Sequence, residues 1–286
     1  MLERDGYLPG VPCWVDTAQP DPEAAVAFYG SLFGWDFDDR MPADAPGHYF
    51  VARLRGRDVA AVGSQQQGAP RTPMWSTYIW VDSADDAAAR VNEAGGSTLA
   101  EPFDVLDAGR MAVFADPAGA AFCVWEAKEH KGAQVVNEAG TWNWSDLRTS
   151  DPQGAKAFYR AVFGWEAQTG DPGDGDSAMW RVPGYGDFLE RSDPDLRRRQ
   201  ADVGAPAGFE DAIAWLMPLT SEQVTEGVPP HRSVTFAVDD TDAIAERAAE
   251  FGGTVTMPPF DAPPVRIAVL SDPHGAVFSV IKFAPR

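Results

Sequence analysis

Two aspartates stand where an acid could do chemistry, each two residues after a tryptophan in a segment that predicts a β-strand. The pairs are Trp14 with Asp16 and Trp144 with Asp146. Side chains alternate along a strand, so each carboxylate shares a face with an indole. An indole wall disfavours a charged carboxylate and raises its pKa, which suits a general base or acid. The same pair also suits an aromatic ligand slot, or a structural aspartate bonded to the backbone.

Histidines are the other groups that could act directly. The chain has four: His48, His130, His231 and His274. We expect His130, in a polar segment, and His274, in a turn, to be exposed. His231 shares a strand face with Ser233, and we take His231, Arg232 and Tyr78 as hydrogen-bonding partners for a ligand or an oxyanion. We find no nucleophile–base–orienter triad and no glycine-rich phosphate loop in the sequence.

An internal repeat positions these residues. The segment from Asp21 to Trp35 recurs from Asp151 to Trp165 with nine identities in fifteen positions, at a constant offset of 130. Each copy predicts a helix with an aspartate N-cap, proline at the first turn and glycine at the end. The conserved spacing of Ala, Phe and Tyr gives one apolar face. We interpret this repeat as fold and not as chemistry.

Further landmarks recur in the same order. The strands Ser76–Val81 and Ser233–Val238 each lead into an Ala-rich helix that ends in Gly-Gly, and each half closes with a Asp-Pro-x-Gly turn and a last strand. The polar residues 129–140 predict a linker between residues 8–128 and 141–284. We expect a turn at Gly184-Tyr185-Gly186 and loops at 64–73 and 192–210, because none of these stretches has an apolar period.

Bulk composition narrows the function classes. The formal net charge of −20 over 286 residues argues against nucleic acid and anionic membranes as partners. The two cysteines, Cys13 and Cys123, are too few for a disulfide framework and favour a reducing cytoplasm. We expect no signal peptide and no membrane span, because no apolar run is long enough.

The repeated helix motif, the Val-Asp strand end and the Asp-Pro-x-Gly turn together resemble the vicinal oxygen chelate superfamily, which includes glyoxalase I, bleomycin-resistance proteins and extradiol dioxygenases. The resemblance covers about Pro12 to Phe283. It implies an α+β fold of four βαβββ units that form two glyoxalase-like domains, packed as an intramolecular pseudo-dimer. Two units close into a cup in such domains, and a divalent metal sits in the cup.

The resemblance also locates the positions of the metal ligands. They are usually His, His and Glu in this family. Here they are occupied in the first half by Trp14, Ser76 and Cys123, and in the second by Trp144, Ser233 and Ser279. A catalytic divalent ion needs about three protein ligands of nitrogen, sulfur or oxygen type. We therefore predict no metal and no other cofactor.

Alternation along the strands predicts what fills the cups instead. We expect these candidate ligand-binding residues to face inward: Trp14, Tyr78, Trp80, Trp125, Trp144, His231 and Arg232. One interpretation is that tryptophans plug an unused cup. The other is a metal-independent protein that binds a small apolar or aromatic molecule, for natural-product resistance or sequestration.

Two enzyme alternatives stay open. The first is a cofactor-free isomerase, lyase or cyclase with Asp16 or Asp146 as general base or acid. The second is a metal-dependent lyase or dioxygenase with displaced ligands. We expect a cytoplasmic monomer or homodimer whose partner is a small molecule.

Overall fold

A computed structural model describes residues 3–66, 68, 72–169, 176–202, 204–262 and 264–283. Position 284, which ends the predicted second domain, and positions 67 and 69–71 of the predicted loop lie outside the described residues. The described chain forms two eight-stranded sheets, one from each half. This confirms the predicted α+β fold of four βαβββ units.

The first half builds one sheet and two helices. Its elements are β1 (Pro12–Gln19), α1 (Pro22–Phe33), β2 (Asp36–Asp39), β3 (Tyr49–Leu54), β4 (Arg57–Ser64), β5 (Trp75–Trp80), α2 (Ala84–Glu93), β6 (Ser97–Val105), β7 (Gly109–Ala115) and β8 (Ala121–Ala127). The strand order is β2-β3-β4-β1-β5-β8-β7-β6. The two βαβββ units meet where β1 runs antiparallel to β5, so the middle of the sheet brings both units' inward residues together.

The second half repeats this plan with additions. Its elements are β9 (Thr141–Thr149), α3 (Pro152–Phe163), β10 (Glu166–Thr169), β11 (Ala178–Arg181), α4 (Tyr185–Glu190), α5 (Leu196–Asp202), a 3₁₀ turn (Phe209–Asp211), β12 (Ala212–Pro218), α6 (Ser221–Thr225), β13 (His231–Ala237), α7 (Thr241–Glu250), β14 (Thr254–Ala262), β15 (Val265–Ser271) and β16 (Val277–Phe283). The strand order, β10-β11-β12-β9-β13-β16-β15-β14, matches that of the first half.

The repeated helices begin and end as predicted. The side chain of Asp21 accepts a hydrogen bond from the N–H of Ala24 at 3.0 Å, and that of Asp151 accepts from Gly154 at 2.9 Å. Gly34 ends α1 with a φ of 72°, a left-handed conformation that favours glycine. The aspartate and glycine of the motif therefore set the two helix boundaries.

Two predictions about connections were wrong. The stretch 192–210 was expected to be a loop but contains α5, and the predicted turn at Gly184-Tyr185-Gly186 begins α4. These helices are short and have no long apolar stripe, so sequence periodicity could not reveal them. Ion pairs hold them: Arg197 contacts Asp187 at 2.8 Å and also pairs with Glu190.

Residues that are identical in the two copies of the repeat make hydrogen bonds between the halves. The Tyr29 hydroxyl donates to Asp272 at 2.9 Å, and in the mirrored position the Tyr159 hydroxyl donates to Asp116 at 3.2 Å. Each repeated helix thus bonds the Asp-Pro-x-Gly turn of the other half. This pseudo-twofold exchange explains why the motif occurs twice, and it supports the interpretation of the repeat as fold.

The faces of the two sheets have different roles. The hydroxyl of Thr77, on β5, donates to that of Ser145, on β9, at 2.8 Å, so these outer faces meet between the halves. The opposite, inner faces carry the Trp–Asp pairs. We call them the first cup, with Trp14 and Asp16, and the second cup, with Trp144 and Asp146. In the part of the chain that the structure describes, no helix is both long enough and apolar enough to span a membrane.

Candidate functional site

In the first cup two tyrosine hydroxyls bind the carboxylate of Asp16. The Tyr78 hydroxyl donates to its Oδ2 at 2.7 Å and the Tyr49 hydroxyl donates to the same oxygen at 3.0 Å. The Trp14 indole N–H in turn donates to the Tyr49 hydroxyl at 3.0 Å. Asp16 is 7% exposed. These four side chains form a buried, hydrogen-bonded cluster around the carboxylate.

Burial controls the charge of Asp16. Loss of hydration raises its pKa to about 6, although hydrogen bonds from Tyr78, Tyr49 and Ser76 pull in the opposite direction. The desolvation cost wins because three hydrogen bonds replace only part of the water that an exposed carboxylate would hold.

The segment between the halves closes the first cup. The ring of His130 lies 4.4 Å from that of Trp14 and 5.7 Å from that of Trp125. The Trp125 indole N–H donates to the backbone oxygen of His130 at 2.9 Å. The expectation that His130 is exposed was wrong: the segment returns beneath β1, where the N–H of Ala133 donates to the oxygen of Cys13 at 2.8 Å. Burial lowers the pKa of His130 to about 4.

Trp80, the last candidate of the first half, lies at the edge of this cluster. It is half-buried, and its ring centroid is 6.2 Å from that of Tyr7 in the N-terminal segment. The first cup therefore brings together Trp14, Asp16, Tyr78 and Trp125 as predicted, but it fills the space between them with its own chain.

The second cup leaves its carboxylate partly exposed. Asp146 Oδ1 accepts from the backbone N–H of Trp215 at 2.9 Å, and within the described residues no other hydrogen bond reaches this carboxylate. Ser233 lies opposite it on β13, and Thr235 lies opposite Trp144. Trp144, Asp146 and Trp215 are each partly exposed. Thr235 stands where the first half has Tyr78, so the hydroxyl that covers Asp16 has no counterpart here.

The electrostatics of Asp146 resemble those of Asp16. Burial raises its pKa to about 6, against the Trp215 N–H and the charges of Arg148 and Arg232, which lower it. Asp146 is partly exposed, whereas Asp16 is buried beneath two tyrosine hydroxyls. Asp146 is therefore the more accessible acid or base of the two.

The remaining two candidates of the second half separate. His231 lies at the start of β13 opposite Arg148, and its Nδ1 is 2.8 Å from the oxygen of Pro229. Arg232 does not face the cup: it is 5% exposed on the outer face, with its guanidinium 5.0 Å from the centre of the Tyr159 ring and 5.5 Å from that of Trp165. Alternation explains this, because His231 and Ser233 point inward and the residue between them must point outward.

A cavity of about 200 Å³ adjoins the second cup. Trp144 lies in its wall, together with residues of α4, α5 and the 3₁₀ turn, which cover it. The aromatic and aliphatic members of this wall include Trp144, Tyr185, Leu189, Leu196, Phe209 and Ile213. The rings of Trp144 and Phe209 meet edge to face at 6.0 Å. Two of the additional helices of the second half, α4 and α5, therefore cover the space beside the partly exposed indole.

Comparison with protein families places the fold. A model described as the Glyoxalase/Bleomycin resistance protein/Dioxygenase superfamily matches residues 14–124, and one described as a Glyoxalase-like domain matches residues 144–281. The chain belongs to this superfamily. The predicted membership of this superfamily is confirmed, and the two matched ranges correspond to the two sheets.

Two kinds of relative cover nearly the whole chain. The chain is 42% identical over 289 residues to "Putative glyoxylase CFP32" of Mycobacterium tuberculosis, with 100% of each chain covered. It is 37% identical over 292 residues to "Anthracycline biosynthesis protein DnrV" of Streptomyces peucetius, covering 96% of this chain and 94% of that protein.

Solved structures show the same fold at low identity. The Mn(II)-bound glyoxalase from Novosphingobium aromaticivorans superimposes with a TM-score of 0.59 and 18% identity, over 96% of this chain and 82% of the other. The 2,3-dioxygenase LapB from Pseudomonas sp. KL28 gives a TM-score of 0.57 and 12% identity, over 96% and 93%. At this identity the likeness extends to the fold alone.

The superfamily's metal does not fit the residues of this glyoxalase-like chain. At the three expected ligand positions the first cup offers the indole of Trp14, the hydroxyl of Ser76 and the thiol of Cys123, whose pKa burial raises. The second cup offers Trp144, Ser233 and Ser279. Within the described ranges no group of three His, Cys, Asp or Glu side chains could hold an ion. An indole supplies no lone pair and a protonated thiol is a poor ligand, so we derive no step through a metal.

Sequence reasoning missed two residues of these cups. Tyr49 of β3 and Trp215 of β12 lie beside the two carboxylates, yet only the pairing of their strands shows it. Tyr49 pairs with Gly63, and Trp215 adjoins Asp146 because β12 runs parallel to β9. Alternation within a strand gives two faces, but it cannot say which strand lies next to which.

Proposed function

We propose that this glyoxalase-like protein binds a small, flat, largely aromatic molecule in its second half, without a metal. The ligand would lie in the 200 Å³ cavity against Trp144, which forms part of its wall. The binding of a small molecule in such a site gains from ring stacking and from removal of apolar surface from water.

One observation carries this proposal: the two cups share a fold but only the second is left open. Trp144, Asp146 and Trp215 are partly exposed, whereas Trp14 is 2% and Asp16 7% exposed. A flat ligand that stacks on the partly exposed indole of Trp144 would remove its apolar surface from water.

The names of the relatives agree with an aromatic ligand. The two Streptomyces relatives are named anthracycline biosynthesis proteins, and anthracyclines are flat fused-ring molecules. We take from this only the class of ligand: a fused aromatic ring system. Resistance to such a molecule, or its sequestration, is the role that this class of binding supports.

The compartment and partners follow from composition. We propose a cytoplasmic protein whose partner is a small molecule and not a nucleic acid. Cys13 and Cys123 are both free and buried, which is compatible with a reducing compartment. The net charge of −20 would repel phosphate backbones.

The test of binding uses 3-hydroxy-2-naphthamide, a neutral fused-ring probe, in titration calorimetry. We expect micromolar to millimolar affinity for the wild type and at least about a tenfold loss in Trp144→Ala. Trp80→Ala, in the first half, is the matched control and should bind within about twofold of the wild type. Equal binding by Trp144→Ala would contradict the proposal.

The test of metal independence is elemental analysis of the purified protein. We expect less than about a tenth of an equivalent of any transition metal, because the ligand positions lack suitable donors. Probe binding should be unchanged by EDTA. Stoichiometric zinc, nickel, manganese or iron would overturn the metal-free proposal and favour a metal-dependent lyase or dioxygenase.

A second candidate function is cofactor-free acid–base catalysis by Asp146. The specific observation is its free oxygen combined with a pKa near 6, which lets the carboxylate take a proton from a weakly acidic C–H and return it at neutral pH. Asp16 is only 7% exposed, so the alternative that uses Asp16 is weaker.

Deuterium exchange separates binding from catalysis. With 2-tetralone in D₂O, an enzyme would speed the exchange of the protons next to the carbonyl above the buffer rate. Asp146→Asn should abolish this acceleration while probe binding persists, and Asp16→Asn should retain it. No acceleration by the wild type would leave binding as the sole proposed function.

A further inference from the structure

The cavity beside the second cup contains one cation that no carboxylate of the described chain neutralises. Two charged residues line it, Arg4 and Glu210. Glu210 is paired with Arg197 of α5 at 3.6 Å. No carboxylate within the described ranges lies within ion-pair distance of Arg4. A positive charge without a counter-ion in a largely aromatic wall favours the binding of an anionic ligand.

Arg4 is held rigidly. Its backbone N–H donates to the oxygen of Gln134 at 2.8 Å. Its guanidinium donates to the Tyr185 hydroxyl and lies 5.1 Å from the centre of the Tyr7 ring and 5.7 Å from that of Tyr185. The Tyr7 hydroxyl donates to the oxygen of Ala133 at 2.6 Å, which fixes this ring. The guanidinium has five N–H donors and uses one of them here, so a flat fork of donors is available.

The same wall offers an acceptor. The side-chain nitrogen of Asn143 donates to Asn137 Oδ1 at 3.0 Å. Asn143 Oδ1 is buried and has no hydrogen-bond partner, and Asn143 lines the cavity. A buried carbonyl oxygen without a donor carries a free-energy cost that a hydroxyl of a ligand would remove.

From this geometry we infer that the natural ligand is an aromatic carboxylic acid that also carries a hydroxyl group. Arg4 binds the carboxylate, Asn143 accepts from the hydroxyl, and the ring lies against Trp144. The inference rests on the proposed binding of an aromatic molecule and names the chemical class of that molecule.

Selectivity for an anion must come from groups inside the cavity, because the protein as a whole is strongly acidic. With a net charge of −20, the surface field opposes an anion. A preorganised guanidinium can overcome that field at short range, because a planar carboxylate forms two parallel hydrogen bonds with its fork. We expect the carboxylate to improve affinity about 10- to 100-fold over a neutral isostere.

The experiment compares two probes of the same shape, the anionic 3-hydroxy-2-naphthoate and the neutral 3-hydroxy-2-naphthamide, by titration calorimetry at pH 7. The wild type should bind the acid at least about tenfold more tightly than the amide. Arg4→Gln should bind the two equally and keep the affinity for the amide. Arg4→Lys keeps the charge but not the fork, and should retain only part of the preference.

A second pair of probes tests Asn143. The wild type should prefer 3-hydroxy-2-naphthoate to 2-naphthoate, and Asn143→Ala should lose this preference while it keeps the preference for acid over amide.

Controls separate this inference from the proposed function. Arg198→Gln removes the same charge from α5, where the side chain is 68% exposed and pairs with Asp195, and should keep the preference for the acid. Near-ultraviolet circular dichroism checks that each variant is folded.

If the wild type binds acid and amide equally and Trp144→Ala weakens both, the inference fails and the proposed function stands. If a preference for the acid persists in Arg4→Gln, Arg4 is not the anion site. If neither probe binds the wild type, both proposals fail.

Discussion

The two cups are built from corresponding strands and carry the same Trp–Asp pair, but side chains close the first cup and leave the second partly exposed. In the first, Tyr49 and Tyr78 converge on Asp16, and His130 packs against Trp14. In the second, Thr235 replaces the tyrosine of β5 and Asp146 keeps a free oxygen. A duplicated domain can thus pack one copy of a cup closed and leave the other partly exposed. The exchange of a few side chains decides between them.

The connections between the third and fourth strands also differ between the two halves. β3 and β4 of the first half are joined by a two-residue turn, Arg55-Gly56, with φ values of 55° and 75°, which is the tight geometry of a hairpin. The corresponding strands of the second half, β11 and β12, are joined through α4, α5 and the 3₁₀ turn. The added helices cover the cavity, so the second cup, which its own side chains leave open, is covered by these helices.

The largest expected difference concerns the tryptophans. Trp14→Ala should lower the free energy of unfolding by about 3–5 kcal/mol, because it leaves a void in a buried cluster. Trp144→Ala removes a partly exposed ring and should cost about 1 kcal/mol. Urea denaturation followed by circular dichroism measures both. Equal costs would mean that both cups are packed alike.

Both carboxylates should make the stability of the fold depend on pH. Asp16 has a folded-state pKa near 6, against about 4 in the unfolded chain. The folded state therefore keeps a proton that the unfolded chain has lost, and this stabilisation disappears as the pH rises from 4 through 6. Relative to wild type, Asp16→Asn should gain about 2–3 kcal/mol in free energy of unfolding between pH 4 and pH 7.

Asp146→Asn is the matched control for Asp16→Asn. Because burial also raises the pKa of Asp146 to about 6, its variant should show a gain of similar size over the same pH range. Denaturation curves at pH 4, 5, 6 and 7 for both variants give the comparison. Parallel curves for Asp16→Asn and wild type would contradict the buried, proton-holding state of Asp16.

The histidine that closes the first cup should act in the opposite direction. Its pKa is lowered to about 4, so between pH 6.5 and 4 the unfolded chain binds a proton that the folded state refuses, and acid weakens the fold. His130→Phe keeps a ring against Trp14 but cannot be protonated. It should raise the free energy of unfolding by about 1–2 kcal/mol at pH 5 and change it little at pH 7. A constant difference across this range would exclude a buried neutral imidazole.

The smallest effect on stability is expected at the helices that cover the cavity. Arg197→Gln breaks exposed ion pairs with Asp187 and Glu190, so the melting temperature should stay within about 2 °C of wild type. The dissociation rate of the naphthoate probe should increase, because these pairs hold α4 and α5 together over the cavity. Stopped-flow fluorescence measures the rate, and an unchanged rate would mean that the helices do not gate the site.

Much of the fold could be predicted from the sequence. The helix motif at Asp21 and Asp151, with its caps, gave the helix boundaries, and the order of the landmarks gave four βαβββ units. The strand alternation placed Trp14 with Asp16 and Trp144 with Asp146 correctly. It also implied that Arg232 points away from His231, although the expected set of ligand-binding residues included both.

The candidate site could be predicted only in part. Arg4, Tyr49 and Trp215 reach it from segments far along the chain, and α4 and α5 are too short to leave a periodic signal. The position of His130 depends on how the segment between the halves returns beneath β1, which its polar composition did not reveal.

The sequence alone determined the repeat, the caps and the identity of the groups at the superfamily's metal positions, because these depend on neighbours within a few residues. Only the tertiary structure decided which cup is open. The hydroxyls of Tyr49 and Tyr78 and the ring of His130 close the first cup across 33, 62 and more than a hundred residues of chain from Asp16, and such contacts arise only when separate strands and the intervening segment pack together.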